Sequence, residues 1–165
     1  MIKRAALVLV FVVVVVAGGA TPALASKDSK KHHVTAITKK QAAKQFEADD
    51  GPFSAARTAY GTAFLAWQSA HGIPAETASF VDAFVAACHT FEHHLDTQRW
   101  PSADKSDVRT FASSLTAVAN DIASLPSITT VSGGDELAAR FDSDSATSEA
   151  DSNNLRHALG LPPLT

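Results

Sequence analysis

The sequence contains a single cysteine, Cys88, in 165 residues. An internal disulfide is therefore impossible, which excludes a small exported fold held together by several disulfide bridges. The stability of the protein has to come from the packing of apolar side chains, and this favours a helical bundle over a loop-rich scaffold. Two roles are open to a lone cysteine: a small buried hydrophobic residue, or the link of a disulfide dimer.

The sequence also has only one long apolar run, residues 5–17, and this is shorter than the roughly 20 residues that a membrane-spanning helix needs. The run follows the basic residues Lys3 and Arg4 and precedes Ala-Leu-Ala at 23–25, a pattern typical of a secretory signal peptide. We predict cleavage between Ala25 and Ser26. Because a serine and not a cysteine would then begin the chain, we expect a secreted, extracytoplasmic protein with no lipid anchor and no stable membrane anchor.

The sequence also lacks an excess of basic residues, because it has 14 Lys and Arg and 17 Asp and Glu. Nucleic acids and anionic membranes attract basic surfaces, so neither is an expected partner. The length that remains after cleavage fits one domain better than two. We therefore predict a cleaved signal peptide at 1–25, a disordered polar lead at 26–37 and a single helical domain at 38–165.

Apolar residues recur at steps of three and four through most of this domain, which is the spacing of one face of an α-helix. Thr38 and Gln41 have the spacing of a capping box and predict a helix start. Gly51 and Pro52 are predicted to end or kink that first helix. Further apolar stripes predict helices over about 53–71, 75–99 and 102–125.

The last segment of the domain, after a predicted loop at 127–134, is capped by Ser132 and has an interrupted stripe. Apolar residues begin it at 137–141 and resume at 155–159, whereas residues 142–152 are almost all Ser, Asp, Ala and Glu. Two interpretations stay open: the helix runs through on small residues, or it breaks into two segments around a flexible middle. The predicted fold is all-α, an up-and-down bundle of four main helices plus a C-terminal helical segment.

Both ends of the predicted domain are similar to small exported helical proteins and lipoproteins of actinobacteria. The similarity lies in residues 37–46, ITKKQAAKQF, followed by Pro52, and in residues 153–163, NNLRHALGLPP, which end in a Leu-Gly-Leu-Pro-Pro signature. The resemblance implies an envelope-facing helical domain without an assigned reaction. The chain departs from the lipoprotein members because it lacks their lipid-bearing cysteine.

The one cluster that could carry chemistry is residues 88–94, which contain the spacing His-x-x-Glu-His. In inverted zinc proteases the two histidines of this motif bind zinc and the glutamate acts as base. At about 100° per residue, however, His89 and His93 fall on the face of the helix opposite its apolar stripe, close to Asp96. An exposed site without a dry cavity or a clear third ligand does not suit a protease, so we predict no enzyme. The same face, His89, His93 and Asp96, is a candidate site for zinc or copper.

A buried cofactor such as haem would need a ligand inside the bundle, and the inward candidates are Tyr60, His71 and His94. Each has another interpretation. Tyr60 fits an aromatic residue of the core, and His71 is placed to interact with a helix dipole. His94 falls at the edge of the core, where its ring stays partly hydrated.

These observations predict an exported, non-enzymatic helical domain without a cofactor, acting in binding or structural interaction at the cell envelope or outside the cell. Its partner would be an unknown envelope protein or a small ligand. The alternative is a metal- or haem-binding exported protein that uses His89, His93 and His94. A groove or an exposed apolar patch in the folded protein would favour the binding interpretation.

Overall fold

A computed structural model of the protein describes residues 37–164, which form four α-helices and no strand. One-turn 3₁₀ segments precede the second helix and follow the third, at Pro74–Thr77 and Leu125–Ser127. The predicted all-α class is confirmed. The predicted signal peptide, and all of the polar lead except its last residue, lie outside the described residues. The helices are α1 Lys39–Ser69, α2 Ala78–Thr97, α3 Lys105–Ser124 and α4 Val131–Leu159.

Short connections make each helix antiparallel to the one before it, so the bundle runs up and down. The central helix α3 packs extensively against α2 and α4, while α1 packs against α2 and over a smaller surface against α4. Two ends result. At the 3₁₀ end, the two 3₁₀ segments contact each other beside the C-terminus of α1 and the N-terminus of α4. At the tail end, the N-terminus of α1 meets the C-terminus of α4 and the last residues of the chain.

The first helix does not end at Pro52 but continues through it for 31 residues, so the two helices predicted on either side of the proline are one. Pro52 has no N–H to donate to the carbonyl of Ala48, but both residues are exposed and water can reach that oxygen. Phe46 and Phe53, on opposite sides of the proline, both pack on Phe91, with ring centroids 5.7 and 5.0 Å away. Packing against α2 thus overrides the local preference of the proline.

Capping residues account for where α1 and α4 begin. The predicted capping box is confirmed, since the Thr38 hydroxyl accepts from the Gln41 amide at 3.2 Å and Gln41 Oε1 accepts from the Thr38 amide at 2.8 Å. The predicted cap at Ser132 was wrong: the hydroxyl of Thr130 accepts from the Gly133 amide at 3.0 Å. Because this hydroxyl satisfies a free amide of the first turn, α4 begins inside the segment that was predicted to be a loop.

The fourth helix is continuous through residues 142–152, as the first of the two interpretations held. Ser152 is buried there, and Ser145 and Ser148 are half-buried, at steps of three and four along one side. Small side chains on this side let α4 approach its neighbours closely without large apolar residues. The segment is therefore a full member of the bundle, although its hydrophobic pattern carries little helix signal.

Cys88 lies in the core and is 1% exposed. Of its two predicted roles, the structure shows the buried hydrophobic residue, whereas the disulfide dimer stays a prediction. Burial raises the pKa of the Cys88 thiol to about 12, so the thiol stays protonated and weakly nucleophilic near neutral pH. In the part of the chain that the structure describes, no helix has both the length and the apolar content that crossing a bilayer requires.

Candidate functional site

The histidine face of α2, made of His89, His93 and Asp96, is exposed as predicted. Glu92, the glutamate of the His-x-x-Glu-His motif, lies with Oε2 3.2 Å from Nδ1 of His89, and its other oxygen accepts from the Thr116 hydroxyl at 2.7 Å. This glutamate therefore ties α2 to α3. Among the described residues, no group of three or more His, Cys, Asp or Glu side chains is arranged to hold a metal ion. The metal site stays a prediction, and it would rest on a histidine pair.

The three residues predicted to face the core differ in position. Tyr60 is buried, as expected for an aromatic core residue. His94 is partly exposed at the edge of the core, with Nδ1 2.9 Å from Oδ1 of Asp49 on α1. The prediction that His71 faces the core was wrong: α1 ends at Ser69, and His71 is exposed in the following turn with a φ of 55°.

Arg156 joins α4, α1 and the C-terminal residues at the tail end. Its Nη1 lies 3.2 Å from Oδ2 of Asp50, its Nε donates to the Pro162 carbonyl at 2.7 Å, and its guanidinium carbon lies 5.9 Å from the centre of the Phe46 ring. Burial raises the pKa of Asp50, although the charges of Arg156 and Arg57 oppose this shift. Every polar group of this contact belongs to the protein itself, which makes it a structural tie.

The residues after α4 fold back onto that helix. Gly160 ends the helix with a φ of 78°, a left-handed conformation that glycine adopts without strain. The Leu161 amide then donates to the Arg156 carbonyl at 2.8 Å, and the Leu164 amide donates to Oδ1 of Asn153 at 2.7 Å. The Leu-Gly-Leu-Pro-Pro signature therefore acts here as a helix cap and a clasp.

The two segments that carry the resemblance, residues 37–46 and 153–163, lie in contact although they stand at opposite ends of the domain. The contact of Arg156 with the Phe46 ring joins them, and Leu161 packs against the core that contains Phe46. Their shared feature is closure of the tail end.

A small pocket with a cavity volume of about 60 Å³, partly open to solvent, lies at the 3₁₀ end between α1, α3 and α4. This aromatic pocket was not predicted, because its residues belong to apolar stripes that the sequence assigns to separate helices. The one sequence signal of space there is a pair of small residues on α4, Gly134 and Ala138, which are four positions apart. The pocket is lined by Tyr60, Phe64, Asp121, Ile122, Leu125, Gly134, Leu137, Ala138 and Phe141.

Asp121 is the one carboxylate in the lining of the aromatic pocket, and it is 7% exposed. Its Oδ1 accepts from Nε of Arg140 at 3.1 Å, but the Arg140 side chain is 59% exposed. Its Oδ2 is buried, and no described group donates to it. An unsatisfied buried acceptor costs about 1–3 kcal/mol, and more when it is charged. The lining of the pocket is therefore mostly apolar, and Oδ2 of its one carboxylate is sealed from solvent without a described donor.

No family model matches the chain, and no curated protein and no solved structure matches it either.

Proposed function

We propose that this protein is an exported, non-enzymatic binding module whose ligand site is the aromatic pocket. The observation that carries the proposal is the pocket itself, since a concave apolar site with one or two placed polar groups is the usual form of a small-molecule site. The export part of the proposal rests on the signal-peptide pattern of residues 1–25.

The lining of the pocket suits recognition better than acid–base chemistry. Two ionisable side chains line it, Asp121 and Tyr60. Burial raises the pKa of Tyr60 above its ordinary value, so the phenol stays neutral near neutral pH. General acid–base catalysis favours groups whose pKa lies near the working pH, which a neutral phenol does not offer. Aromatic rings with one carboxylate provide shape, apolar contact and a single polar contact.

The alternative of metal or haem binding rests on His89, His93 and His94. His89 and His94 each have Nδ1 close to a carboxylate, of Glu92 and Asp49 respectively. The open histidine face favours at most a surface metal ion held by two histidines, so we keep it as the second candidate.

The test of the proposal uses toluene as an apolar probe and ¹H–¹⁵N spectra of the purified protein. We expect toluene to shift the amide signals of the pocket residues on α3 and α4. Ala138→Phe should abolish these shifts, because the larger side chain occupies the pocket. Ala139→Phe is the matched control, since Ala139 is the exposed neighbour of Ala138 on the same helix and does not line the pocket.

The two variants decide the outcome. Loss of the shifts in Ala138→Phe with retention in Ala139→Phe supports the proposal. Shifts scattered over the whole surface, or equal in both variants, would show that the aromatic pocket is not a binding site.

A further inference from the structure

We infer that the outer groove between α1 and α4 binds a cationic amphipathic helix of a protein partner. This α1–α4 groove is defined by the exposed Leu65 on α1, the exposed Val131 on α4, and the half-buried Gly134 and Ala138 on α4. The inference goes beyond the proposed function, because it depends on the two rims of the groove and not on a ligand inside the aromatic pocket.

The bundle is less closed between α1 and α4 than between its other neighbouring helices. These two helices pack against each other over a smaller surface than α1 and α2, α2 and α3, or α3 and α4. The contacts of Arg156 with Asp50 and with the Phe46 ring join α1 and α4 in the tail half of the bundle. Towards the 3₁₀ end, the aromatic pocket opens between them. A further helix would pack along this incompletely closed seam.

The apolar residues Leu65 and Val131 face the seam from its two sides. At about 100° per residue, Leu65 lies within about 60° of Asp50, the α1 residue that contacts α4. Val131 lies within about 20° of Arg156, the α4 residue that contacts α1. They are two of the three large apolar side chains that are more than half exposed in the described part of the chain. Helix-binding grooves present apolar residues in this way.

The rim of the groove on α4 is acidic. Three exposed acidic residues follow one another on α4 at steps of seven: Asp135, Asp142 and Glu149. At about 100° per residue, all three lie within about 60° of Arg156 and therefore along the rim that faces α1. None of the three forms an ion pair with another described residue. On the opposite rim, residues 58–69 contain no Lys, Arg, Asp or Glu, so α1 supplies no cation there.

The acidic rim decides between the occupants of the groove. A second copy of the chain would bring its own acidic row towards this one, and facing like charges disfavour association. Nucleic acids and anionic membranes are disfavoured for the same reason. A helix with one apolar face and flanking basic residues fits both the apolar residues and the charge. From Asp135 to Glu149 the rim is about 21 Å long at 1.5 Å per residue, which matches a partner helix of about 14 residues.

The experiment uses the purified protein and a synthetic helical peptide of about 14 leucine and lysine residues, ordered so that leucine forms one face. One control peptide has glutamate in place of every lysine, and a second has the same composition in scrambled order. We expect the amphipathic Leu/Lys peptide to bind at least about tenfold tighter than either control peptide, measured by fluorescence anisotropy of a dye label. Its binding should weaken as added salt screens the charges.

Two variants test the two rims. Leu65→Ser removes apolar surface and Asp142→Lys reverses a charge, and each should weaken binding of the amphipathic peptide by about threefold to tenfold. Ile73→Ser is the matched apolar control, since Ile73 is also exposed but lies in the turn that leads to α2. Asp82→Lys, at an exposed position of α2, makes the same change in net charge away from the groove. Both control variants should leave the affinity unchanged.

The outcomes separate this inference from the proposed function. Weaker binding in Leu65→Ser and Asp142→Lys, but not in their controls, supports the inference. Equal affinity for the amphipathic and scrambled peptides, or equal effects of groove and control variants, would overturn it. A dimer of the protein that Leu65→Ser dissociates would assign the groove to a second copy and also overturn it. The toluene titration decides the proposed function independently, because toluene has neither the length nor the charge to contact the acidic rim.

Discussion

Asp50 is half-buried and Asp121 is buried, and their charges are balanced differently. Asp50 faces Arg156, whose side chain is only 11% exposed and which is held in turn by the C-terminal residues. Asp121 faces Arg140, which is mostly exposed, and keeps one oxygen without a donor. The carboxylate of Asp50 is therefore held by the fold through a half-buried ion pair, whereas that of Asp121 is paired at one oxygen only.

The raised pKa of Asp50 predicts a dependence of stability on pH. Since the folded protein holds this proton more tightly than the unfolded chain does, Asp50 contributes most to the free energy of unfolding below its ordinary pKa of 3.8. That contribution is lost as the pH rises through the raised pKa. We expect wild type to lose stability relative to Asp50→Asn between about pH 3 and pH 7, measured by urea denaturation across the range.

Asp142→Asn, a change at an exposed position of α4, is the control for this measurement. If wild type instead gained stability relative to Asp50→Asn over the same range, attraction to Arg156 would outweigh the burial of the carboxylate.

At the scale of single residues, the sequence predicts which side of a helix a residue occupies but not its partner. The exposure of His89 and His93 follows from the angle between them and the apolar stripe. The contact of Asp50 with Arg156 joins residues 106 positions apart, and no local pattern relates them. The position of Asp121 in the lining of the pocket was equally hidden, because the pocket exists only once three helices are packed.

At the scale of elements, the helices were predictable from the three- and four-residue spacing, whereas the continuity of α1 and α4 was not. Pro52 predicted a boundary where packing on Phe91 maintains one helix. Residues 142–152, which are rich in Ser, Ala and Asp, gave little helix signal because small side chains, and not large apolar ones, pack there. In both cases a contact with another helix decides the outcome, and the local sequence contains only half of that contact.

Two glycine substitutions test the description of α1 and the turn after it. Gly51→Ala should change the free energy of unfolding by less than about 0.5 kcal/mol, because the helix preference of alanine is opposed by Pro52, which disfavours helical backbone at a preceding residue with a Cβ, while no more distant atom lies within 4 Å of that Cβ. Gly72→Ala should lower it, because the Cβ would overlap the ring of Trp67. That ring is fixed by its hydrogen bond to the Ile73 carbonyl, 3.0 Å long. Thermal unfolding of both variants makes the comparison, and a Gly72→Ala variant at least as stable as Gly51→Ala would contradict the close contact of Gly72 with Trp67.

At the scale of the whole molecule, the two ends of the bundle differ in what they contain. The tail end is closed by Arg156, the αL turn at Gly160 and the bond from Leu164 to Asn153. The 3₁₀ end contains the aromatic pocket and, close by in the chain, two of the exposed large apolar residues, Leu65 and Val131. Stabilising contacts and the proposed ligand site therefore do not compete for the same residues.

The burial of Cys88 predicts how the intact protein behaves toward thiol reagents. We expect iodoacetamide to leave Cys88 unmodified in the native protein and to modify it on unfolding, because the thiol is both inaccessible and protonated. Ser113→Cys, at an exposed position of α3, should react in the native state and serves as the positive control. Rapid native modification of Cys88 would favour the disulfide-dimer interpretation instead.

Mass spectrometry of the purified protein measures the modification of Cys88 by iodoacetamide and checks two further predictions. The intact mass shows whether the chain begins at Ser26, and the spectrum under native conditions shows any bound metal or dimer.

The contact between Asp50 and Arg156 also sets the order in which the fold can be completed. Ribosomes make the chain from its N-terminus, so α1 is synthesised with Asp50 in place 106 residues before its counter-ion exists. Until then the tail-end half of α1 lacks both the guanidinium over Phe46 and the clasp formed by the last residues. The tail-end half of α1 therefore has its packing on α2 but not its contacts with α4 until Arg156 has been added, and a chain that stops before Arg156 should be cleaved by proteases faster than one that includes residues 156–164.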